Sequence, residues 1–461
     1  MLVHPYIPFI HFERQAAEKT IEREDFEYYK KKIAYYQSHG IISEKPVSGN
    51  GQLYLSPELI EESISNLKQI VFETTEKCNL QCKYCYYGEY YHTAPERKNQ
   101  DMPVEYAKKM MEYLSKKQLS EFNQSWNHWM YISFYGGEPM MNMPLVKSVI
   151  KAGKMKNRQI AYSMTTNATL LNKNVPLVVD NDIHLTISLD GNKENNSYRV
   201  FRNKAQTFDK ILSNLKKLQQ QYPIYYEKNI KFNAVLHNKN SVQEIYDFFQ
   251  TEFNKKPAIL ELNNSGIAEE KSNEFYATYR NRNESLSQLE NYAQLESELF
   301  LDMPSYHSAL IFLHQYIQFV YKSYEDLLSG ENRILWTSTG TCIPFSRKIF
   351  ITANGKILPC EKIAQKFALG TVDENGVYLD ATEIANKYNT YYKTLSKQCA
   401  VCYRQQACNQ CIFFLENLED KPVCHGFMDK NSMQKYLTNT ISFFENHPHD
   451  YSRMMKDVII S

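Results

Sequence analysis

The clearest pattern in the chain is an alternation of apolar extended segments with amphipathic helical segments between residues 70 and 264. Six segments rich in β-branched and aromatic residues predict strands, and several are apolar on both faces, as in a buried parallel sheet. They are Ile70–Thr75, Trp129–Tyr135, Ile160–Thr166, Ile183–Leu189, Ile230–Leu236 and Ala258–Asn263. The clearest helices between them are Thr207–Gln220 and Val242–Phe253. This alternation predicts an α/β fold whose parallel sheet is open or curled into a partial barrel, with functional residues at the carboxyl ends of the strands.

The first 69 residues follow a different pattern. A set of apolar residues recurs with helical period before Gly40, which supplies a C-terminal stop. The set consists of Phe26, Tyr29, Ile33 and Tyr36. A short extended segment, GQLYL, then precedes Ser56, a good N-cap for a helix that continues to about Leu67. The pattern predicts a small helix–strand–helix module that is similar to a winged helix.

Length and charge limit the function. The chain has 461 residues, which at ~150 residues per domain suggests about three domains. Its 53 Lys and Arg residues balance 52 Asp and Glu residues, so the net charge gives no support to nucleic-acid binding by the first module. No apolar run approaches the ~18 residues that span a bilayer, and the N-terminus lacks the features of a signal peptide. We therefore expect a cytoplasmic protein without membrane or nucleic-acid partners.

The ten cysteines form two groups separated by more than half of the chain. In a reducing compartment, cysteines grouped in this way are metal ligands or redox groups rather than disulfides. The first group is Cys78, Cys82 and Cys85. The second group is Cys342, Cys360, Cys399, Cys402, Cys408, Cys411 and Cys424.

The first group reads CNLQCKYC and follows the first predicted strand directly. Three thiolates with CxxxCxxC spacing can hold three irons of a cubane cluster and leave one iron open to a small chelating ligand. The alternatives are a zinc site, with His92 as a fourth ligand, or three reduced cysteines in a core. The three-residue gap does not suit a zinc knuckle, which pairs CxxC with a second CxxC or with histidines.

Four further motifs follow the later strands. They are GGEP after the second strand, TTNAT after the third, SLDG after the fourth, and YRVFR beyond it. Together with the cysteine loop they resemble the radical S-adenosylmethionine (SAM) enzymes, which implies a [4Fe–4S] cluster on Cys78, Cys82 and Cys85 with SAM bound to its open iron. By this resemblance the residues that contact SAM are Tyr84, Gly136, Gly137, Glu138, Asn167, Ser188, Asp190 and Arg199.

The resemblance gives these residues separate roles. The GGEP segment contacts the amino group of SAM, Ser188 contacts the ribose, and Asp190 is a nearby acidic position. Arg199 resembles the arginine that pairs with the SAM carboxylate, but it stands one residue early, so Arg202 is a rival. Taken singly, GGE can be a tight turn, SLDG an Asp-Gly turn and Arg199 a surface residue. The resemblance implies that the reduced cluster would cleave SAM to a 5′-deoxyadenosyl radical, which would take a hydrogen atom from the substrate.

The second cysteine group resembles the SPASM extension of radical SAM peptide maturases, which carries two auxiliary [4Fe–4S] clusters. The resemblance assigns one cluster to Cys399, Cys402, Cys408 and Cys424, and the other to Cys342, Cys360 and Cys411. A zinc ribbon is the alternative for the two CxxC pairs taken alone. Three, four and three thiolates use all ten cysteines, so we expect one auxiliary iron with an open or non-cysteine position.

Glu361 follows Cys360 directly. An aspartate at this place is the catalytic base in the related sulfatase-maturating enzymes, which makes Glu361 a candidate proton acceptor; a surface carboxylate is the alternative.

The N-terminal module resembles the element that captures leader peptides as an added strand, and Val3–Phe9 can supply part of its sheet. A purely structural cap on the barrel is the other interpretation.

The sequence thus predicts a partial (β/α)6 TIM-like barrel between an N-terminal module and a cysteine-rich SPASM domain. The predicted limits are 1–69 for the module, 70–267 for the barrel, 268–335 for a helical bridge and 336–461 for the SPASM domain. The predicted function is oxidative cross-linking of a ribosomally made precursor peptide with a leader, using a flavodoxin- or ferredoxin-type donor. The alternatives are formylglycine formation on a sulfatase and, in another class, an iron–sulfur electron carrier or a zinc-binding adaptor.

Overall fold

The fold is taken from a computed structural model of the chain. The structure describes residues 54–91, 97–125, 128–153, 158–264, 266–287, 304–317, 339–405 and 408–447, with isolated residues 27, 30, 31, 34, 35, 38, 292, 295, 299, 450 and 454. The described residues cluster into two compact units. One comprises 56–302 and 342–384, and the other comprises 1–55, 303–341 and 385–461.

The first unit is built on a single sheet in the order β10-β9-β8-β7-β1-β2-β3-β4-β5-β6. Its strands are β1 (Gln69–Thr75), β2 (Trp129–Gly136), β3 (Gln159–Thr166), β4 (His184–Ser188), β5 (Ile230–Leu236), β6 (Ala258–Glu261), β7 (Lys348–Ile351), β8 (Lys356–Leu358), β9 (Gly370–Val372) and β10 (Val377–Leu379). All neighbours from β7 through β1 to β6 pair in parallel, and β7 to β10 pair antiparallel. The six predicted strands and the α/β fold class are therefore confirmed.

Helices connect the parallel strands, as a parallel sheet requires. The helices of the described residues are α1 (Pro57–Ser65), α2 (Val104–Lys117), α3 (Met143–Ala152), α4 (Val175–Asp180), α5 (Phe208–Gln221), α6 (Pro223–Asn229), α7 (Val242–Phe253), α8 (Ser272–Thr278), α9 (Arg282–Ser287), α10 (Pro304–Ile317), α11 (Ala381–Cys399) and α12 (Lys430–Asn446). The two helices singled out from the sequence correspond to α5 and α7. Ser56 caps α1 as predicted, because its hydroxyl accepts a hydrogen bond from the Leu59 N–H at 3.2 Å.

Burial explains why the first strand carries no polar alternation. Ile70, Val71 and Phe72 are buried on both faces of the sheet, and the apolar face of α2, including Met110 and Leu114, is buried as well. The register of β1 against β2 shifts between Glu73 and Thr75, where β1 ends. The cysteine loop begins directly after this irregularity.

Strands β7 to β10 were not predicted. They are three or four residues long, which is too short for periodicity to mark them. They come from the region assigned to the SPASM domain, yet β7 extends the barrel sheet through its parallel pairing with β1. The predicted domain limits remain predictions.

The described part of the second unit contains helices α10 and α12 and most of α11. Phe312 of α10 lies 6.2 Å from Phe444 of α12 between ring centroids, and Tyr388 of α11 lies 5.6 Å from Phe413. The periodic apolar residues before Gly40, and the Val3–Phe9 segment, lie outside the described residues. No helix among the described residues is long and apolar enough to cross a lipid bilayer.

Candidate functional site

The carboxyl ends of the parallel strands border a cavity of about 1140 Å³. The sequence-predicted residues that line it are Cys78, Cys82, Tyr84, Cys85, Gly136, Gly137, Glu138, Asn167, Ser188 and Arg199. Arg202, the rival of Arg199, also lines it. The structure thus brings together residues from five separate motifs at the edge of the sheet where a parallel fold places its site.

The cysteine loop presents three partly buried thiols to this cavity. Burial raises the pKa of Cys78 to about 11 and that of Cys82 to about 12, and the neighbouring Cys85 raises both further. The N–H of Leu80 points at the Cys78 Sγ at 3.4 Å. Three neighbouring cysteines that line one cavity fit the donor set of an iron–sulfur cluster, whose binding would displace the thiol protons.

The two glycines of GGEP allow the end of β2 to lie directly against this loop. A Cβ on Gly136 would lie 2.3 Å from the Thr75 carbonyl oxygen, and one on Gly137 would lie 2.0 Å from the Lys77 carbonyl oxygen. Gly136 also has a φ of 130°, which favours glycine. The Gly137 N–H donates to Thr75 O at 2.8 Å. These contacts fix the backbone that leads into Cys78.

Glu138 is 1% exposed, and its carboxylate is engaged by the protein. It accepts hydrogen bonds from the Thr166 hydroxyl at 2.6 Å, the Asn167 N–H at 2.8 Å and the Met140 N–H at 3.1 Å. Burial raises the pKa of Glu138, although these three bonds oppose the rise. The glutamate therefore joins the ends of β2 and β3.

Asn167 continues this connection toward the cysteine loop. Its side-chain amide donates to the Asn79 side-chain oxygen at 3.0 Å, and its own oxygen accepts from the Thr169 N–H at 3.0 Å. Its amide nitrogen lies 4.0 Å from the Cys78 Sγ. The residue therefore lies next to the expected cluster ligand, and its hydrogen bonds hold the loop.

The two candidate arginines differ in their environment. Arg199 is 8% exposed, and its Nη2 donates to the Asp190 carboxylate at 3.0 Å. Arg202 is exposed, and its Nε donates to the Cys78 carbonyl at 2.8 Å. Asp190 itself is completely buried and is absent from the lining of the cavity. Asp190 is thus the one predicted SAM contact that does not line the cavity.

Glu361 lies in an adjacent cavity of about 200 Å³ inside the barrel. Lys348 Nζ lies 3.2 Å from both of its carboxylate oxygens, and its Oε2 lies 3.6 Å from the Cys360 Sγ. Burial favours a higher pKa for Glu361, but a backbone hydrogen bond and the Lys348 ammonium outweigh burial and lower the pKa. Tyr135 and Thr165 line both cavities, so they separate Glu361 from the cysteine loop.

Sequence reasoning missed Arg97, which lines the main cavity. Its Nη2 lies 3.2 Å from Glu73 Oε1, its Nη1 donates to the Glu76 carbonyl at 2.7 Å, and its guanidinium lies 3.2 Å from the Tyr87 ring centroid. Glu73 and Arg97 are 24 positions apart, and no motif joins them. Only the fold could reveal this pair.

Four of the C-terminal cysteines line one pocket in the second unit: Cys399, Cys402, Cys408 and Cys424. Burial raises the pKa of Cys399 to about 12, and the other three thiols raise it further. Cys342 and Cys360 belong to the first unit and Cys411 to the second. Among the described residues, no three Cys, His, Asp or Glu side chains are arranged around a single metal ion. His92 lies outside the described residues.

Comparisons with known proteins give one family match and several relatives. Residues 72–251 match the radical SAM superfamily. The chain is 32% identical over 152 residues to an uncharacterized protein of Methanocaldococcus jannaschii, covering 32% of the chain and 48% of the relative. It is 28% identical over 163 residues to a cysteine-type anaerobic sulfatase-maturating enzyme of Clostridium novyi, covering 34% and 41%.

A third relative is the radical SAM cyclopropyl synthase TigE of Paramaledivibacter caminithermalis, 29% identical over 195 residues, with 35% of the chain and 40% of the relative covered. The chain thus spans less than half the length of these curated relatives. The solved structure of native anSMEcpe with bound AdoMet shares the fold, with a TM-score of 0.55 at 17% identity, over 84% of this chain and 99% of that one. Residues 72–251 are therefore similar to the radical SAM domain.

Proposed function

We propose that this protein is a radical SAM enzyme that takes a hydrogen atom from a ribosomally made precursor peptide and installs an oxidative cross-link within it. The observation that carries the proposal is the loop of three partly buried cysteines that opens onto a cavity of about 1140 Å³. Ligand cavities are typically about 300–1,000 Å³, so this one has room for a nucleoside and a segment of a substrate. The names of two relatives, a sulfatase-maturating enzyme and a cyclopropyl synthase, support a maturase.

The residues of this chain would bind and orient the cofactors. Cys78, Cys82 and Cys85 would hold the SAM-binding [4Fe–4S] cluster, and Arg199 offers a buried cation to the carboxylate of SAM. When bound, the reduced cluster and SAM would supply hydrogen-atom abstraction from an unactivated carbon. The protein's own contribution is to fix the loop through Gly137 and to keep water out of the site.

The C-terminal cysteines support two auxiliary clusters. The common pocket of Cys399, Cys402, Cys408 and Cys424 supports one four-thiolate cluster. The trio of Cys342, Cys360 and Cys411 would hold the second. A low-potential donor of the flavodoxin or ferredoxin type would supply electrons, and the cytoplasm is the compartment that suits reduced thiols.

An oxidative cross-link takes one hydrogen atom, one electron and one proton from the peptide. The 5′-deoxyadenosyl radical would take the hydrogen atom and an auxiliary cluster would take the electron, and Glu361 is the proposed acceptor of the proton. Its pKa is lowered, so the carboxylate is ionised at neutral pH and can accept a proton. Replacing Glu361 by Gln should spare SAM cleavage and lower the yield of product. Glu374→Gln, at an exposed glutamate of the same polypeptide segment, is the matched control. Unchanged product formation in Glu361→Gln would remove this residue from the mechanism.

The experiment that tests the function uses the anaerobically reconstituted full chain, SAM, a strong reductant and the peptide encoded by a small reading frame next to the gene. We expect mass spectrometry to show the peptide losing two hydrogen atoms for each cross-link, in step with 5′-deoxyadenosine. A Cys82→Ala variant should yield neither product. Release of 5′-deoxyadenosine without any change in the peptide would contradict the proposed substrate.

The main rival is formylglycine formation, which the sulfatase-maturating relative favours. A solved structure of anSMEcpe with bound AdoMet and the Cp18Cys peptide shares the fold at a TM-score of 0.54 and 18% identity. A cysteine-containing sulfatase peptide in the same assay separates the two functions, because aldehyde formation on that peptide would replace our proposal. An iron–sulfur carrier or a zinc adaptor would cleave no SAM.

A further inference from the structure

Asp190 lies directly behind Arg199 in the wall of the main cavity. Its Oδ1 accepts hydrogen bonds from Arg199 Nη2 and from the Val235 N–H, both at 3.0 Å. Its Oδ2 accepts from the Tyr84 hydroxyl. We propose that Asp190 is a positioning residue that, together with Tyr84, holds Arg199 in place to receive the carboxylate of SAM. The inference rests on the proposed binding of SAM and deepens it.

The remaining donors of Arg199 are available to a ligand. The side chain lines the cavity beside Cys82, and among the described residues its hydrogen-bond partner is Asp190. A guanidinium suits a carboxylate ligand because its donors form a planar fork. The contact with Asp190 leaves the rest of this fork free.

Arg199 is the cation that balances Asp190. The other candidate is His237, whose Nε2 lies 3.9 Å from Asp190 Oδ2. His237 is completely buried, and burial lowers its pKa, so the imidazole is neutral at pH 7. Its ring stacks on Tyr84 with 5.8 Å between centroids. The histidine therefore supports the tyrosine by packing, and the charge of Asp190 acts on Arg199.

Tyr84 connects this pair to the cysteine loop. It stands between Cys82 and Cys85, and the guanidinium carbon of Arg199 lies 5.4 Å from its ring centroid. A single buried carboxylate thus holds both the loop of the expected cluster ligands and the arginine. An Asp190→Asn side chain keeps the size but has one acceptor oxygen and no charge, so it loses the charge-assisted bond to Arg199 and can no longer accept from Arg199 and Tyr84 through separate oxygens.

The test compares two nucleosides that differ in the amino-acid group, which includes the carboxylate. S-Adenosylhomocysteine carries the amino-acid group and 5′-methylthioadenosine lacks it. Equilibrium binding of each is measured to the reconstituted wild type, Asp190→Asn, Tyr84→Phe and Asp209→Asn, the last a control because Asp209 is exposed and paired with Lys193. We expect Asp190→Asn to bind S-adenosylhomocysteine roughly tenfold more weakly, as for a lost charge-assisted contact, with 5′-methylthioadenosine binding unchanged.

Tyr84→Phe keeps the carboxylate and should show a smaller loss that is again selective for S-adenosylhomocysteine. This variant tests the positioning of Arg199 if Asp190→Asn fails to fold or to bind iron. An equal loss for both nucleosides, or no loss in a variant with full iron content, would overturn the positioning role. If the wild type binds neither nucleoside, the proposed function itself fails, which distinguishes the two failures.

Discussion

Replacing Gly137 by Ala tests how the GGEP segment supports the cysteine loop. The added Cβ would lie 2.0 Å from the Lys77 carbonyl oxygen and 2.5 Å from the Lys77 carbonyl carbon. Side-chain carbons do not approach within 3.0 Å, so the two backbones must separate by about 1 Å. That shift would break the bonds from the Gly137 N–H to Thr75 O at 2.8 Å and from the Glu138 N–H to Lys77 O at 2.9 Å.

The expected loss of stability follows from the two broken hydrogen bonds and from the overpacking by the added Cβ. Each lost bond costs about 1 kcal/mol, and overpacking adds about 1–3 kcal/mol, so we expect a loss of roughly 3–5 kcal/mol in the free energy of unfolding of the first unit. Because Lys77 precedes Cys78, iron content after reconstitution should fall as well.

Urea unfolding of the apo protein measures the loss of stability, and iron analysis measures the fall in iron content. Gly376→Ala is the matched control, because a Cβ at Gly376 meets no atom within 4 Å. If Gly137→Ala unfolds at the same urea concentration as the control and binds wild-type iron, the close approach of these backbones is not what holds the loop.

Three further predictions address the remaining features. Burial raises the pKa of Glu138 in the folded state above its usual value of 4.5. Its contribution to the free energy of unfolding is therefore complete below pH 4.5 and is lost as pH rises through the folded-state pKa. Glu138→Gln should flatten this part of the curve of unfolding free energy against pH for the apo protein. Cys424→Ser should lower iron by about four per chain while S-adenosylhomocysteine binding is kept, as iron analysis and calorimetry would measure. Arg97→Met removes the cation that pairs with the buried Glu73 carboxylate and leaves it only the hydrogen bond from the Ala353 N–H, so it should cost about 3–5 kcal/mol. The double variant with Glu73→Gln should recover most of this loss in urea unfolding.

The sequence predicted the parts of the fold that have long, regular signals. The six barrel strands are rich in β-branched and aromatic residues and several are apolar on both faces, and the N-cap at Ser56 is a local signal that the structure confirms. Strands β7 to β10 are too short to leave a periodic pattern. Their pairing with β1 depends on contacts between distant parts of the chain, which composition does not record.

For the candidate site, the sequence predicted which residues come together but not how their side chains are directed. Residue identity and order were enough to bring Cys78, Asn167 and Arg199 to one cavity, because each motif follows a strand whose carboxyl end lies there. The direction of each side chain depends on its neighbours in space. Asp190 was therefore expected to touch SAM, whereas the structure turns its carboxylate toward Tyr84 and Arg199. The sequence did not predict the pairing of Arg97 with Glu73, because that pairing also depends on neighbours in space.

The central claim is that the three-cysteine loop and its cavity bind an iron–sulfur cluster that cleaves SAM. The most direct measurement is the release of 5′-deoxyadenosine from SAM by anaerobically reconstituted protein under strong reductant, with the iron content determined on the same sample. We predict about 12 irons per chain and a nucleoside product that Cys82→Ala does not form. Colourless protein, or SAM that stays intact while all the iron is bound and reduced, would contradict the account.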